Sequence, residues 1–408
     1  MATRTAAIVT VGSELVEGLR IDTNTAEIAR ALGVRGFSVD EAVSVGDSEE
    51  LLAETLARLC ARHSLVITTG GLGPTHDDIT REAASRALTR PLVIDPAIKE
   101  TLASASGFHT DPEAAAQVYR QAEVLEGAEV MPAVTGTAPG QIVPTPAGLL
   151  AVLPGPPFEM RPMLVTVCDR YPVEFGAPAE LGVVGMSESD VQVAAQRALS
   201  AYKEIDLTVL AKPGDVQVLL FDRGAGASAL ARAAADVETA IGDACYSADG
   251  LTLAEVVVRL AVARGIALAT AESCTGGMVA AALTDVAGAS AAIKGGVVSY
   301  ANEVKTGLLG VDTATLATHG AVSEQTALAM AEGCRKALGS DVAVSVTGIA
   351  GPDGGTDEKP VGLVWFGVST AEGSHAARRM LRSKSRAAVR ARATATALDL
   401  LRRELLGR

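Results

Sequence analysis

Short apolar segments alternate with helix-like segments through roughly the first 165 residues, and this alternation is the feature that most restricts the fold. Strand-like patterns cover residues 5–11, 37–45 and 65–69, and helix-like patterns cover residues 24–32 and 48–62. Such alternation is typical of a doubly wound α/β domain built on a parallel sheet. Ligands of these sheets bind outside the carboxyl ends of the strands. Loops that follow strands are therefore the first candidates for a binding site.

Two further regions follow this domain along the chain. Residues 169–248 combine short strands, one of them predicted at 183–186, with two helices, which is the pattern of a small α+β domain. Residues 249–408 return to alternating strands and helices and end in a long helix. We therefore expect a three-domain α/β chain: an N-terminal doubly wound domain over 1–168, a connecting domain over 169–248 and a C-terminal α/β domain over 249–408.

Composition narrows the function classes. The net charge of −13 over 408 residues argues against nucleic acid and membrane surfaces as general partners. Aromatic residues make up 3% of the chain, so the cores must consist of Ala, Val and Leu. The sequence has neither a signal-peptide pattern nor an apolar run of about 18 residues, and its five Cys lack CxxC spacing. We expect a cytoplasmic protein with reduced thiols.

A glycine-rich loop follows the strand predicted at 65–69. Residues 70–78 read Gly-Gly-Leu-Gly-Pro-Thr-His-Asp-Asp, and a helix is predicted to start at Asp77 or Asp78. Glycines let the backbone approach a ligand closely, and the first N–H groups of a helix favour an anion. The alternative is a tight turn with an acidic helix start. The groups expected to bind substrate here are Gly70, Gly71, Gly73 and Thr75.

Other polar loops fall after neighbouring strands and are expected to share the same pocket. They contribute Asn24 and Gly155 as further binding residues. Carboxylates favour hard divalent cations. The candidate ligands for Mg²⁺ or Co²⁺ are Asp77, Asp78, Glu14 and Asp22, and the spacing leaves open which of them bind.

A second candidate centre lies at residues 271–277, which read Ala-Glu-Ser-Cys-Thr-Gly-Gly between a strand-like and a helix-like segment. Ser273 is the expected nucleophile and Cys274 is the alternative, because such a turn points successive side chains apart. Gly276 and Gly277 are expected to supply backbone donors for an oxyanion. No His lies in these motifs. Lys305 and Tyr300 therefore remain as candidates for the base. A desolvated Lys305 could accept the proton of the serine, and Tyr300 could relay that proton or stack on the substrate ring.

The quoted loops carry a resemblance to a known family. Gly-Ser-Glu-Leu at 12–15, Asp-Thr-Asn at 22–24, the 68–78 loop, Gly-Thr-Ala-Pro-Gly at 136–140, Leu-Pro-Gly-Pro-Pro at 153–157 and the 271–277 segment occur in one order. This series resembles the competence/damage-inducible CinA family over essentially the whole chain, with an N-terminal part similar to the molybdopterin-binding fold.

The resemblance implies two activities. The N-terminal domain would hydrolyse ADP-ribose at its pyrophosphate with a divalent cation. The C-terminal domain would deamidate nicotinamide mononucleotide to the nicotinic acid nucleotide and ammonia without a metal. By the same resemblance, Thr347 joins the catalytic group, and the substrate-binding residues also include Thr275, Ser290, Asn302 and Gly348.

A nucleotide substrate needs a cationic partner for its phosphate. Residues 375–408 contain ten Lys or Arg and two acidic residues. Arg386 and Arg390 lie four residues apart and share a helix face. We expect one of them to bind the phosphate.

Two other functions compete with this interpretation. A pterin-binding or adenylyl-transfer protein would account for the first 165 residues alone. A non-catalytic adaptor in DNA uptake or damage response would leave the polar loops without a role. Under the two-enzyme interpretation, the expected partners are nicotinamide mononucleotide and ADP-ribose. We also expect a second copy of the chain in a homodimer.

Overall fold

The computed structural model describes residues 4–105, 117–381, 383 and 385–408. The chain forms two compact units, Met1–Gly176 and Ala177–Arg408. Each unit has its own sheets and its own buried clusters. The division into three domains stays a prediction.

The first unit has a six-stranded mixed sheet in the order β2-β1-β3-β8-β7-β6. Strands β1, β2, β3 and β8 are parallel, and β7 and β6 are antiparallel to their neighbours. Its strands are β1 Arg4–Val11, β2 Phe37–Val45, β3 Leu65–Thr69, β4 Leu92–Ile94, β5 Glu123–Leu125, β6 Glu129–Met131, β7 Gly140–Pro144 and β8 Leu149–Leu153. Its helices are α1 Ser13–Val16, α2 Asn24–Gly33, α3 Glu49–Cys60, α4 Thr80–Leu88, α5 Pro96–Ala105 and α6 Pro157–Cys168.

Helices cover both faces of this sheet, because alternate side chains of a strand point to opposite faces. Ala7 and Val9 of β1 pack with α3 and α4 in one buried cluster. Ala6 and Ile8 pack with α2 and α6 in another. The prediction of a doubly wound α/β domain is confirmed.

The second unit contains two sheets. A four-stranded antiparallel sheet has the order β10-β11-β9-β12, and a five-stranded mixed sheet has the order β14-β13-β15-β16-β17. The strands are β9 Ala179–Val183, β10 Ile205–Lys212, β11 Asp215–Asp222, β12 Cys245–Ser247, β13 Leu268–Glu272, β14 Ile293–Val298, β15 Val342–Gly348, β16 Leu363–Ser369 and β17 Ser374–Met380. The helices are α7 Glu188–Ala198, α8 Ala227–Ile241, α9 Leu253–Arg264, α10 Met278–Thr284, α11 Asn302–Leu309, α12 Thr313–His319, α13 Glu324–Leu338 and α14 Arg386–Leu406.

The strand predicted at residues 183–186 is wrong in position, because β9 ends at Val183. Leu181 and Val183 of this strand belong to the buried cluster of the four-stranded sheet, so the strand lies upstream of the predicted range. Within the described ranges, no helix is long and apolar enough to cross a membrane.

Strand β15 shows how the five-stranded sheet is packed. Val342, Val344 and Val346 join the cluster formed with α9, α10 and α14. The intervening Ser345 faces α13, where its hydroxyl donates to the carbonyl of Ala327 at 2.5 Å. The two faces of this sheet are therefore covered by different sets of helices.

Candidate functional sites

A cavity of about 520 Å³ opens at the carboxyl ends of β1, β3 and β8 in the first unit. The predicted residues that line it are Glu14, Asp22, Asn24, Gly70, Gly71, Gly73, Asp78 and Gly155. Thr75 and Asp77 do not line it. The structure thus brings eight of these ten residues to one cavity, at the edge of the sheet where the sequence predicted it.

The glycines at the end of β3 are required by close packing. Gly70 and Gly71 have φ of +106° and +65°. A Cβ on Gly70 would lie 2.3 Å from the carbonyl oxygen of Val11, and one on Gly71 would lie 2.3 Å from Oγ1 of Thr80. Thr80, the first residue of the next helix, fixes this loop by two hydrogen bonds. Its hydroxyl donates to the carbonyl of Gly70, and its N–H donates to the carbonyl of Gly71.

Arg81 fixes the next two peptides of this loop. Its guanidinium is 2% exposed and donates to the carbonyl of Leu72 at 2.7 Å and to that of Gly73 at 2.9 Å. Burial lowers the pKa of Arg81, although its side chain stays cationic because its usual pKa lies far above neutrality. Nothing in the sequence pattern singles out this residue beyond its position in the helix after the loop.

All four carbonyls of residues 70–73 are therefore bonded into the protein. In a trans peptide the N–H points away from the preceding carbonyl, so the N–H groups of Gly71 and Leu72 point away from the bonded carbonyls of Gly70 and Gly71. Within the described chain, the N–H groups of Gly71 and Leu72 make no hydrogen bond. Unpaired N–H groups of a tight loop form an anion-binding concavity.

The helix after this loop begins at Thr80, and the predicted start at Asp77 or Asp78 is wrong. Asp78 closes a turn instead, because its carboxylate accepts from the N–H groups of Gly73 and Thr75 at 2.7 and 2.8 Å. Asp77 is exposed, and a hydrogen bond with Thr75 is the main cause that lowers its pKa. Thr75 therefore stabilises the turn.

The acidic residues do not form a metal cage by themselves. In the described part of the chain, no three His, Cys, Asp or Glu side chains lie close enough together to hold a metal ion. Asp22 accepts from the N–H and hydroxyl of Thr25, and Asp78 is bonded as above. Glu14, Asp22 and Asp78 still line the cavity. This donor set fits a cation that is also coordinated by substrate phosphates, as Mg²⁺ usually is. It does not fit an ion held by protein alone.

The second centre lies where β13 passes into α10. Ser273 follows the last residue of the strand, and its N–H donates to the carbonyl of Val346 in β15 at 2.9 Å. Its side chain is half-buried. The serine is thus fixed by the neighbouring strand at the carboxyl edge of the sheet.

Lys305 comes to this serine from α11. Its side chain is 1% exposed, and Nζ lies 3.4 Å from Oγ of Ser273. Nζ also donates to the carbonyls of Ser299 at 2.7 Å and Tyr300 at 3.2 Å. Burial lowers the pKa of the Lys305 ammonium below its usual range. It is the carbonyl of Tyr300, and not its phenol, that contacts the lysine.

Cys274 is 5% exposed, and burial raises the pKa of its thiol to about 11. A thiol is nucleophilic as its thiolate. At neutral pH this cysteine is therefore protonated and enclosed, which favours Ser273 of the two.

Glu272 holds the start of α10. Its carboxylate is 1% exposed and accepts from the N–H groups of Gly277, Val279 and Ala280 at 2.8 to 3.1 Å. The N–H of Gly276 donates to the carbonyl of Ser273. Both glycine N–H groups predicted as oxyanion donors are thus already paired. Sequence reasoning missed Glu272, although an acid five residues before Gly277 was a usable capping signal.

Arg390 clamps the same turn from α14. Its Nε donates to the carbonyl of Cys274 at 3.1 Å and its Nη2 to that of Thr275 at 2.8 Å. This arginine fixes the turn that follows Ser273. Thr275 is fully buried, and its hydroxyl makes no hydrogen bond within the described chain.

Arg386, one helical turn earlier, contacts different groups. Its Nη1 donates to the carbonyl of Gly351 at 2.9 Å and its Nη2 to the phenol oxygen of Tyr300 at 3.1 Å. Tyr300 is 60% exposed. This arginine and tyrosine lie at the open side of the centre.

The remaining predicted residues form their contacts with groups other than Ser273 and Lys305. Thr347 is fully buried and its hydroxyl donates to the carbonyl of Ala321 at 2.7 Å. A Cβ on Gly348 would lie 2.7 Å from the side chain of Val364, so a packing constraint accounts for that glycine. Ser290 and Asn302 are exposed. In the described structure, no hydrogen bond joins any of these four residues to Ser273 or Lys305.

Known proteins resemble the chain along its full length. The model of the CinA C-terminal domain matches residues 251–405, and that of a probable molybdopterin binding domain matches residues 7–172. A CinA-like protein of Koribacter versatilis is 38% identical over 98% of this chain and 100% of its own length. A putative competence-damage inducible protein of Symbiobacterium thermophilum is 40% identical over 98% of this chain and 99% of its own.

Among solved structures, the competence/damage inducible protein CihA of Agrobacterium tumefaciens is 43% identical. The match covers 37% of this chain and 94% of that one, with a TM-score of 0.36. The family models and the full-length relatives agree with the motif series read from the sequence. The chain belongs to the CinA family, with a molybdopterin-binding-like N-terminal part and a CinA C-terminal domain.

Proposed function

We propose that the C-terminal part is an amidase that removes ammonia from the carboxamide of nicotinamide mononucleotide. The single observation that carries this proposal is the buried Lys305 amine 3.4 Å from the Ser273 hydroxyl. Amide hydrolysis requires a nucleophile and a base that activates it. The membership of the CinA family supports an enzymatic role for this domain.

The contacts of Lys305 suit a neutral amine. Two of its N–H bonds are directed to the carbonyls of Ser299 and Tyr300, and the third position of the nitrogen faces Ser273. In the neutral amine that position is the lone pair. Lys305 then accepts the Ser273 proton as Oγ attacks the carboxamide carbon, and a tetrahedral intermediate forms. The ammonium of Lys305 returns the proton to the departing nitrogen as the C–N bond breaks and ammonia leaves.

The second half repeats these steps with water. The ester between Ser273 and the nicotinoyl group is attacked by a water molecule, which gives its proton to Lys305. Collapse of the second intermediate breaks the ester bond, and Ser273 regains its proton from Lys305. Nicotinate mononucleotide leaves, and the enzyme returns to its first state.

Arg386 is the better candidate for the substrate phosphate. Two nitrogens of Arg390 already donate to the carbonyls of Cys274 and Thr275. Arg386 lies beside the exposed Tyr300, whose ring is available for stacking on the pyridine. Arginine pairs well with phosphate because its planar fork matches the oxygens.

Ammonia release from nicotinamide mononucleotide by the full chain tests the amidase. We expect Ser273→Ala to abolish it and Cys274→Ala to retain most of it. Full activity of Ser273→Ala would remove the serine from the mechanism, and loss in Cys274→Ala alone would transfer its role to the cysteine.

For the N-terminal part we propose hydrolysis of the pyrophosphate bond of ADP-ribose. The supporting observation is the loop of residues 70–73, which borders a cavity of about 520 Å³. In the described structure, the N–H groups of Gly71 and Leu72 in this loop make no hydrogen bond. The loop would hold one phosphate. Glu14, Asp22 and Asp78 would face a divalent cation bound with the phosphates, whose chemistry is to neutralise the charge on the reacting phosphoryl group.

Formation of AMP and ribose 5-phosphate from ADP-ribose and Mg²⁺ tests this second activity. Ser273→Ala serves as the control, because a defect in the amidase should leave AMP formation unchanged. A chain that binds a pterin and leaves ADP-ribose intact would favour the pterin-binding alternative. A chain with neither activity would favour the adaptor.

A further inference from the structure

Asn24 carries a side-chain acceptor that no group in the described part of the chain uses. The residue begins α2, is 9% exposed and lines the cavity of the first unit. Its Nδ2 donates to Oγ1 of Thr69 at 3.0 Å and to the carbonyl of Gly155 at 2.8 Å. Its Oδ1 is buried and has no hydrogen-bond partner in the described structure.

The orientation of this amide follows from its neighbours. The hydroxyl of Thr69 donates to the carbonyl of Pro154 at 2.7 Å. That hydroxyl therefore accepts from Asn24, and the carbonyl of Gly155 also accepts. Both contacts require the NH₂ group of the amide, since two acceptors cannot pair. The atom without a partner in the described structure is therefore the oxygen, Oδ1.

The side chain that carries this oxygen lies at the wall of the cavity. Asn24 is tied to Thr69 and Gly155, which flank the carboxyl ends of β3 and β8. Gly71 and Leu72, with their unpaired N–H groups, border the same cavity. A buried acceptor without a partner is unfavourable for the free protein. A ligand that supplies a donor there recovers this cost on binding.

We infer that Asn24 Oδ1 accepts a hydrogen bond from the ligand whose phosphate binds at residues 70–73. The cavity then selects a phosphate ester that also carries a hydrogen-bond donor. In a nucleoside diphosphate that donor is a ribose hydroxyl or the exocyclic amine of the base. The choice of ligand rests on the proposed pyrophosphate site, whereas the acceptor itself rests on the contacts of Asn24.

Calorimetry with the full chain and three probes tests this inference. The probes are ADP, 2′,3′-dideoxy-ADP, which lacks the ribose donors, and purine riboside diphosphate, which lacks the amine. We expect one of the two analogues to bind about tenfold more weakly than ADP, the effect of one lost hydrogen bond. The analogue that loses affinity identifies the ribose or the base as the source of the donor.

Asn24→Ala should bind ADP and the weaker analogue equally. Thr69→Val is the matched control, because it removes a partner of Nδ2 and keeps Oδ1. It should preserve the discrimination. Equal binding of all three probes to the wild type, discrimination that persists in Asn24→Ala, or absence of ADP binding would each overturn the inference. Hydrolysis of ADP-ribose is measured separately, so failure of the pyrophosphatase and failure of this contact are distinguishable.

Discussion

Nζ of Lys305 lies 3.4 Å from Oγ of Ser273, although the two residues are separated by 32 positions in the chain. Ser273 directly follows strand β13, and Lys305 lies within helix α11. The amine is 1% exposed and its other two contacts are backbone carbonyls. Among the described residues, Nζ forms hydrogen bonds with Ser273 and two carbonyls and no ion pair with a carboxylate. Burial without such an ion pair disfavours the ammonium form. The pair is therefore suited to proton transfer from the serine.

An amine added to the solution should partly restore the activity that is lost when the Lys305 side chain is removed. We expect Lys305→Ala to lose about 10²- to 10⁴-fold in kcat for ammonia release, the usual contribution of a general base. The truncated side chain leaves a space beside Ser273, so ethylamine should restore part of the rate in proportion to its free-base concentration. Ser273→Ala offers the control, because no amine should rescue it. Absence of rescue together with a rate near that of the wild type would exclude Lys305 as the base.

The amidase should become faster as the pH rises. Lys305 accepts a proton only when neutral, and burial lowers its pKa. The rate therefore increases with pH through that pKa and levels off above it, at a lower pH than an ordinary lysine would require. A profile of kcat/KM against pH measures this. Cys274→Ala should keep the same increase of kcat/KM with pH. Loss of this increase in the variant would show that it reports the titration of the Cys274 thiol.

The sequence predicted Ser273 from its place after a strand-like segment and Lys305 from the lack of a His in these motifs. The two residues meet because the strands that precede them, β13 and β14, are parallel neighbours in one sheet. The sequence did not predict the role of Arg390. Spacing of four residues places Arg386 and Arg390 on one face, but contacts with carbonyls of a distant turn depend on where α14 packs. The basic strand β17 was missed, since its exposed pattern lacks apolar alternation and charged residues are common at sheet edges. The start of α4 was wrong because Asp78 bonds backward to Gly73, a choice that spacing alone does not distinguish from a helix cap.

The two arginines of α14 should differ in kinetic effect. Arg386→Ala is expected to raise KM for nicotinamide mononucleotide about tenfold or more and to change KM for nicotinamide riboside little, because the riboside has no phosphate. Arg390→Ala is expected to lower kcat for both substrates, because the carbonyls of Cys274 and Thr275 lose their donor. Steady-state kinetics with both substrates measure the split. Equal effects of the two variants on KM for the nucleotide would show that both arginines contact the phosphate.

Glu272→Gln should weaken the turn without removing its shape. The carboxylate accepts three N–H groups at the start of α10, and the amide replaces one accepting oxygen with a donor. We expect a loss of about 1–3 kcal/mol in the free energy of unfolding, as for a charged hydrogen bond left unmade, and a fall in kcat. Denaturant unfolding and ammonia release measure the two effects. Glu255→Gln, which alters an exposed helix cap in the same unit, controls for general loss of a carboxylate. Unchanged stability in Glu272→Gln would contradict the assignment.

Gly71→Ala should remove anion binding from the N-terminal cavity. The alanine would need φ of +65° and would place Cβ 2.3 Å from Oγ1 of Thr80, the hydroxyl that bonds the carbonyl of Gly70. Gly18→Ala is the control, since Gly18 has a similar φ of +73° with no atom within 4 Å of the added carbon. The backbone cost of about 1–2 kcal/mol is common to both variants. The collision with Thr80 belongs to Gly71 alone. Calorimetry with ADP should therefore show lost binding in Gly71→Ala and normal binding in Gly18→Ala. Normal binding in both variants would mean that the loop of residues 70–73 does not hold the phosphate.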